Sequence, residues 1–116
     1  MTDIFVFGSN LAGIHGAGAA RFAVLRHGAI YGQGVGLQGQ SYGIPTKDHQ
    51  ITTLPLEYIA KRVAEFIHFA RSRPDLTFYV TPIGCGLAGY KRAQIRPMFD
   101  GMSDNCRFAE TWEDED

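Results

Sequence analysis

The chain has 116 residues, of which 45% are hydrophobic and 20% are charged, and its formal net charge is −1. This length fits one domain, and this composition predicts an ordinary buried core. The charge balance excludes the basic excess that would hold an extended nucleic acid backbone.

The first predicted element is a strand with the sequence Ile-Phe-Val-Phe at residues 4–7, which ends at Gly8. An apolar run without alternation is typical of a central strand covered on both faces. After a glycine-rich turn, residues 17–27 are predicted to form a helix, and Gly28 suits its C-cap. The side chains expected to face the core are Ala20, Phe22 and Ala23, with Leu25 as a further candidate.

The middle of the chain changes from glycine-rich to strongly helical. Residues 29–43 carry repeated glycines that disfavour a helix, so irregular strands and a loop are expected, ending in a short strand near residues 42–44. Apolar residues at helical spacing then predict a helix over residues 55–72. Pro55 suits its first position, and Thr53 is a capping candidate.

The last third continues the alternation of strands and helices. Residues 76–83 are predicted to form a buried strand, and residues 106–109 an edge strand. Between them, residues 94–102 are predicted to form a short helix with Pro97 in its first turn. Strands that alternate with helices predict an α/β domain with a parallel or mixed sheet.

The expected domain covers residues 1–109, and the acidic residues 110–116 are expected to form a solvated, flexible tail. Cys85 and Cys106 are too few for a disulfide framework and predict reduced thiols. No stretch is long and apolar enough to span a bilayer, and the N-terminus does not resemble a signal peptide. A cytoplasmic protein without a membrane partner is therefore expected.

Two glycine-rich turns, at residues 8–20 and 83–90, each lie between a predicted strand and a predicted helix. Backbone N–H groups approach a ligand closely at glycine, and a helix start adds unpaired N–H groups and a positive dipole end. Two such turns in one domain indicate a ligand with more than one phosphate, such as a nucleotide or a nucleotide-sugar diphosphate. The alternative is that they are only tight turns.

Two Gly-x-Gly-x-x-Gly patterns, beginning at Gly34 and Gly84, match the dinucleotide fingerprint. No helix follows the first pattern, and the second leaves too little chain for the rest of a Rossmann unit. The chain has no Gly-Lys-Ser or Gly-Lys-Thr sequence, which excludes a P-loop. The histidines and cysteines lack metal-ligand spacing, so neither a metal nor another cofactor is expected.

Polar side chains near the predicted strand ends are candidates for ligand contact. Asn10 suits a ribose hydroxyl, or else a turn or a helix N-cap. His15 suits phosphate contact or acid–base chemistry, or else a place at the surface. Lys47 is a candidate for contact with a phosphate or a sugar oxygen, and the alternative is that it extends into solvent. The adjacent Asp48 is expected to point to the opposite side, because successive side chains of extended backbone alternate in direction. Cys85 lies in a glycine turn, but no histidine spacing identifies its base, so a structural role is favoured.

Three segments, in the same order along the chain, resemble the macrodomain family, whose members bind ADP-ribose. His-Gly-Ala-Gly-Ala-Ala at residues 15–20 resembles the Gly-Ala-Gly-Ile-Ala segment that opens the first helix of that family. Tyr-Gly-Ile-Pro-Thr-Lys at residues 42–47 resembles its strand ending in Ile-Thr-Lys. Ile-Gly-Cys-Gly-Leu at residues 83–87 closely resembles the Ile-Gly-Cys-Gly-Leu-Asp loop of the branch containing the terminal ADP-ribose protein glycohydrolase.

The resemblance implies a three-layer α/β/α sandwich with a mixed, mostly parallel central sheet and ADP-ribose lying across the strand ends. Residues 16–18 would flank the distal ribose, and residues 84–90 would wrap the diphosphate with backbone N–H groups. In the glycohydrolase branch a lysine corresponding to Lys47 attacks the distal ribose. In this chain His15 is a second catalytic candidate, since Asp48, His15 or a water would have to take the place of a catalytic aspartate. The expected ligand-binding residues are Ser9, Asn10, His15, Gly16, Ala17, Gly18, Thr46, Gly84, Cys85, Gly86, Leu87, Ala88, Gly89 and Tyr90.

The chain departs from that branch at Ala88, which stands where the branch has its catalytic aspartate. Alanine neither donates nor accepts a proton, so the lysine–aspartate mechanism loses one partner. Three functions stay open. They are a module that binds ADP-ribose without catalysis, a hydrolase that removes ADP-ribose from an ADP-ribosylated substrate, and an interaction protein that only retains the fold.

Overall fold

The computed structural model describes residues 2–113, in which strands and helices alternate along the chain. The strands are β1 (Thr2–Asn10), β2 (Gly36–Gln38), β3 (Ser41–Lys47), β4 (Leu76–Val80) and β5 (Cys106–Phe108). The helices are α1 (Gly18–His27), α2 (Leu56–Arg71) and α3 (Arg92–Ile95), with 3₁₀ helices at Arg96–Phe99 and Glu110–Glu113.

The five strands form one mixed sheet in the order β2-β3-β1-β4-β5. β1 is parallel to both β3 and β4, β4 is parallel to β5, and only β2 is antiparallel to its neighbour. The chain passes from β1 to the edge strand β2, turns back to β3 beside β1, and then crosses to β4 on the other side of β1. In open α/β sheets, ligands bind beyond the carboxyl ends of the strands at such a reversal of strand order.

Apolar side chains of β1 alternate between two core clusters. Ile4 and Val6 belong to the larger cluster, which includes the buried side chains of α2, whereas Phe7 and the half-buried Phe5 pack with alanines of α1. Because successive strand residues point to opposite faces of a sheet, the two clusters lie on opposite sides of β1. The prediction of a central strand covered on both faces is therefore confirmed.

The prediction for the inner face of α1 is only half correct. Ala20 and Ala23 are buried, but Phe22 is 47% exposed and Leu25 is 64% exposed. The small alanines let the helix lie close to the sheet, and Phe22 is left at the edge of the contact, against the Phe5 ring at a centroid distance of 5.4 Å. The C-cap prediction is confirmed, since Gly28 has φ 72° and its N–H donates to the Ala23 carbonyl.

The predicted helix over residues 55–72 is confirmed as α2, whose apolar side chains face the larger cluster. Its start differs from the prediction in two respects. Pro55 is the N-cap and not the first helical residue. Thr53 does not cap the helix, because its hydroxyl donates instead to the Ala88 carbonyl at 3.0 Å. Its hydroxyl thereby ties the start of α2 to the second glycine turn.

The C-terminal part holds more of the core than the sequence predicted. Trp112 is 4% exposed, and its indole N–H donates to the Val80 carbonyl at 2.6 Å. Residues 110–113 therefore pack on the domain, in place of the solvated tail expected from residue 110, while residues 114–116 lie outside the described residues.

The predicted edge strand is confirmed as β5, and the predicted helix at 94–102 is replaced by α3 and a 3₁₀ helix, with Pro97 in the first turn of the 3₁₀ segment.

Close backbone packing explains the first Gly-x-Gly-x-x-Gly pattern. A Cβ built on Gly34 would overlap the Asn10 carbonyl oxygen, and one built on Gly39 would overlap the Gly28 carbonyl oxygen. Gly34 thus allows the chain before β3 to cross the end of β1, and Gly39 allows it to pass the C-cap of α1. No helix among the described residues is long and apolar enough to cross a membrane.

Replacing Gly34 by alanine is expected to lower the free energy of unfolding by about 3 kcal/mol, because the methyl group collides with backbone that cannot move aside. Urea denaturation of the variant and the wild type measures this difference. Gly86→Ala is the matched control, since a Cβ there has no described neighbour within 4 Å beyond the adjacent residues. Equal losses for both variants would contradict this account of the glycines.

Candidate functional site

A cleft of about 850 Å³ lies beyond the carboxyl ends of β1, β3 and β4. Its volume is within the range of sites for small molecules. It brings together eleven of the predicted site residues: Ser9, Asn10, Gly16, Ala17, Gly18, Thr46, Lys47, Gly84, Gly86, Leu87 and Ala88. The cleft therefore unites all three segments that carry the family resemblance, although they are far apart in sequence.

The N-terminus of α1 forms one wall of the cleft. Ala17 is the N-cap in extended conformation, no side chain caps the helix, and its first turn contains no acidic residue. The first N–H groups of a helix have no partner within the helix, and the helix dipole makes this end positive. Residues 16–20 line the cleft, so this wall is suited to an anion.

The second glycine turn forms the facing wall and directs its carbonyl groups into the protein. The Gly84 carbonyl accepts the Tyr90 N–H at 2.9 Å, and the Gly86 carbonyl accepts the Gly89 N–H at 3.0 Å. The Ala88 carbonyl accepts the Thr53 hydroxyl. Within residues 2–113, the N–H groups of residues 86–88 have no hydrogen-bond partner, so they remain for a ligand.

Protein packing does not require glycine at two of the positions that line the cleft. Gly86 has no φ in the left-handed region, and no described atom beyond its chain neighbours lies within 4 Å of a Cβ built on it. At Gly16 the nearest such atom is the Ile14 Cγ2, at 4.0 Å. The absence of side chains here leaves room for another molecule to approach the backbone.

Polar side chains on the floor of the cleft are held by the protein itself. The Ser9 hydroxyl donates to the Gly34 carbonyl, and the Thr46 hydroxyl donates to the Ser9 carbonyl at 3.3 Å. The Asn10 amide donates to the Ile14 carbonyl at 2.8 Å and accepts the Ile14 N–H at 2.9 Å. Asn10 is thus a turn residue, and because its amide keeps a second N–H and a second lone pair in the lining of the cleft, the expected ribose contact stays a prediction.

His15 does not line the cleft, so its predicted ligand and catalytic roles are not supported. It is 2% exposed, and its Nε2 lies 2.8 Å from the Gln33 carbonyl oxygen. A carbonyl only accepts, so the Nε2 atom carries the proton and donates. The ring also packs edge-on against Phe7 at a centroid distance of 5.4 Å. His15 is a buried structural residue, which also makes the surface alternative wrong.

Lys47 has the only charged side chain among the described residues that line the cleft. It ends β3, and its carbonyl accepts the Leu11 N–H at 2.9 Å, which fixes its backbone beside β1. The adjacent Asp48 belongs to a turn, since its Oδ1 accepts the N–H groups of Gln50 and Thr52, both at 2.9 Å. The lining of the cleft, as far as it is described, therefore contains one cation and no carboxylate.

Three predicted site residues do not line the cleft and support the second turn instead: Cys85, Gly89 and Tyr90. The Tyr90 hydroxyl donates to the Leu54 carbonyl at 2.7 Å, and the Cys85 thiol lies 3.4 Å from the Ile83 carbonyl. Cys106 is buried in the core, and its burial raises the pKa of the thiol. Neither cysteine lines the cleft, so thiol chemistry there is not supported.

Several residues of the cleft were not predicted as site residues. The segment after β4 contributes Thr81 and Pro82. Their position directly beyond a parallel strand was a signal for ligand contact that the sequence analysis did not use. Phe5, Phe22 and Ile51 also line the cleft. The sequence around these three residues contains no motif that indicates ligand contact. They reach the cleft because of the way in which α1 and the turn after β3 pack.

Comparison of the chain with protein-family models, with curated proteins and with solved structures found no match. Among residues 2–113, no three side chains of histidine, cysteine, aspartate or glutamate form a group that could hold a metal ion. The geometry of the cleft and the motifs that line it are therefore the basis for a function.

Replacing His15 by alanine is expected to lower the free energy of unfolding by about 2 kcal/mol, since it leaves a cavity beside Phe7 and an unpaired Gln33 carbonyl. Lys47→Ala should change this free energy by less than about 0.5 kcal/mol, because the lysine side chain serves no core contact. Urea denaturation measures both. A stable His15→Ala protein would show that His15 is not structural.

Proposed function

We propose that this chain binds ADP-ribose or a closely related nucleotide diphosphate sugar. The observation that carries the proposal is that two sets of N–H groups face each other across one cleft. One set belongs to the first turn of α1 and the other to residues 86–88. The two walls come close, because the Leu87 Cδ1 lies 3.9 Å from the position of a Cβ built on Gly18.

A diphosphate matches this arrangement better than a single anion does. Each N–H set offers donors to one phosphate, and the positive end of α1 adds a favourable field. Lys47 supplies the one full positive charge of the described lining. A diphosphate carries about two negative charges, so one lysine together with two sets of backbone dipoles balances it without a basic surface.

The two ends of the cleft differ in chemistry, which supports a base at one end and a sugar at the other. Phe5 and Phe22 offer aromatic rings at one end, and Phe5 also lines a neighbouring cavity with Tyr79 of β4. Thr46 and Lys47 lie at the other end, because Phe5 pairs with Ser41 at the start of β3, whereas Lys47 is the last residue of that strand. Aromatic rings suit stacking with a nucleobase, whereas a hydroxyl and an ammonium group suit the oxygens of a sugar.

The fold and the motifs support assignment to a macrodomain-like architecture. Core clusters on both sides of β1, one with α2 and one with α1, are what a three-layer α/β/α sandwich requires. The meeting of residues 15–20, 42–47 and 83–87 at one cleft supports the family resemblance that these segments carry. We propose on these grounds a compact macrodomain-like sandwich with its ligand across the strand ends.

Binding without turnover is the function that the lining supports best. A lysine–carboxylate mechanism needs a carboxylate in the cleft, and the described lining residues contain none. Ala88 occupies the loop position of the family's aspartate, and the Asp48 carboxylate is bonded within its own turn. Lys47 then serves as an electrostatic contact to the ligand and not as half of a catalytic pair.

Titration calorimetry with ADP-ribose is expected to show affinity on the order of micromolar, with AMP and ribose 5-phosphate binding far more weakly. Gly86→Glu should abolish the heat of binding, because its carboxylate would fill the ligand's place and repel phosphate. Leu25→Glu is the matched control, since Leu25 is exposed on α1 and does not line the cleft. Absence of heat with ADP-ribose and wild-type protein would overturn the proposed function.

Replacing Lys47 by alanine is expected to weaken ADP-ribose binding about tenfold, as the loss of one charged contact to a ligand oxygen would do. The same calorimetric titration measures this change, and added salt should diminish the difference between the two proteins. Incubation of wild-type protein with an ADP-ribosylated peptide should release no ADP-ribose. Release of ADP-ribose that depends on Lys47 would show that the protein is a hydrolase and not a binding module.

A further inference from the structure

The turn between β3 and α2 holds Ile51 at φ 64°, and it is the only non-glycine residue with positive φ among those described. This left-handed region is sterically unfavourable for a β-branched residue, and glycine or asparagine occupies it more readily. Strained conformations of this kind persist only where the surrounding structure determines them.

Hydrogen bonds within the turn impose this conformation. The Asp48 N–H donates to the Thr52 carbonyl at 2.8 Å, and the Ile51 N–H donates to the Asp48 carbonyl at 3.1 Å. The Asp48 carboxylate accepts two further N–H groups of the turn. An antiparallel bridge between Lys47 and Thr53 closes its base. The backbone is therefore held whatever side chain stands at position 51.

The fold gives no reason for an apolar, branched side chain at this position. Ile51 is 39% exposed and belongs to neither of the two core clusters. Its side chain lines the cleft, and the bridge between Lys47 and Thr53 holds its turn next to Lys47. Leu87, which is 73% exposed, is a second unprotected apolar side chain of the lining.

We propose that Ile51 determines specificity for the sugar that lies beyond the diphosphate, by covering the carbon face of that sugar while Lys47 contacts its oxygens. This inference rests on the proposed function and adds a residue that distinguishes a nucleotide diphosphate sugar from a nucleotide diphosphate. With the base at the Phe5 and Phe22 end and the diphosphate between the two walls, the terminal sugar is the part that reaches Ile51. ADP, which has no such sugar, does not reach it.

The test compares ADP-ribose with ADP by calorimetry, together with the melting temperature of each variant. Ile51→Asn removes the apolar cover and tolerates the left-handed backbone, and Ile51→Gly does the same without any side chain. Ile30→Asn is the matched control, because Ile30 is also exposed and does not line the cleft.

Both Ile51 variants are expected to bind ADP-ribose about tenfold more weakly, in line with the loss of one apolar contact, and to bind ADP as the wild type does. Their melting temperatures should equal or exceed that of the wild type, and Ile30→Asn should bind both ligands normally. Unchanged ADP-ribose affinity, an equal loss for ADP, or a clear fall in melting temperature for both Ile51 variants would overturn the role of Ile51. Wild-type protein that binds neither ligand would overturn the proposed function and this inference with it.

Discussion

The close approach of backbone segments at the carboxyl end of β1 is the constraint on which the rest of the structure depends. The backbone at Gly34 passes so close to the Asn10 carbonyl oxygen that a Cβ on Gly34 would overlap it. A Cβ on Gly8 would lie 3.3 Å from the Gly84 nitrogen. The Ser9 hydroxyl bonds to the Gly34 carbonyl at the same place. Segments far apart in sequence are thereby held around one strand end, and the cleft is the space left between them.

The glycines consequently serve two purposes that their spacing does not distinguish. Gly34 and Gly39 permit contact between segments of the chain itself, whereas Gly16 and Gly86 face open space in the cleft. Both groups lie in or near similar glycine-rich patterns. Only the second group leaves backbone donors accessible, so only that group has the physical properties of an anion site. This division is the reason for placing the ligand between α1 and residues 84–88.

The described lining of the cleft is the basis on which we propose recognition without turnover. Backbone N–H groups and one lysine stabilise negative charge without offering a carboxylate for proton transfer or support of a nucleophile. The polar side chains of the floor, such as Asn10, are bonded within the protein and hold its shape. Ile51 is consistent with this proposal, since a turn held by its own hydrogen bonds presents an apolar side chain to the part of the cleft where we propose the terminal sugar to bind.

Local patterns in the sequence by themselves determined α2, the central position of β1 and the Gly28 cap, because helical periodicity, an unbroken apolar run and a left-handed glycine act over short distances. They also identified the segments that meet at the cleft. Only the folded structure decided the burial of His15, the core position of Trp112 and the left-handed conformation of Ile51. Each of these depends on contacts between residues distant in sequence or on a network of turn hydrogen bonds, which no residue type or spacing encodes.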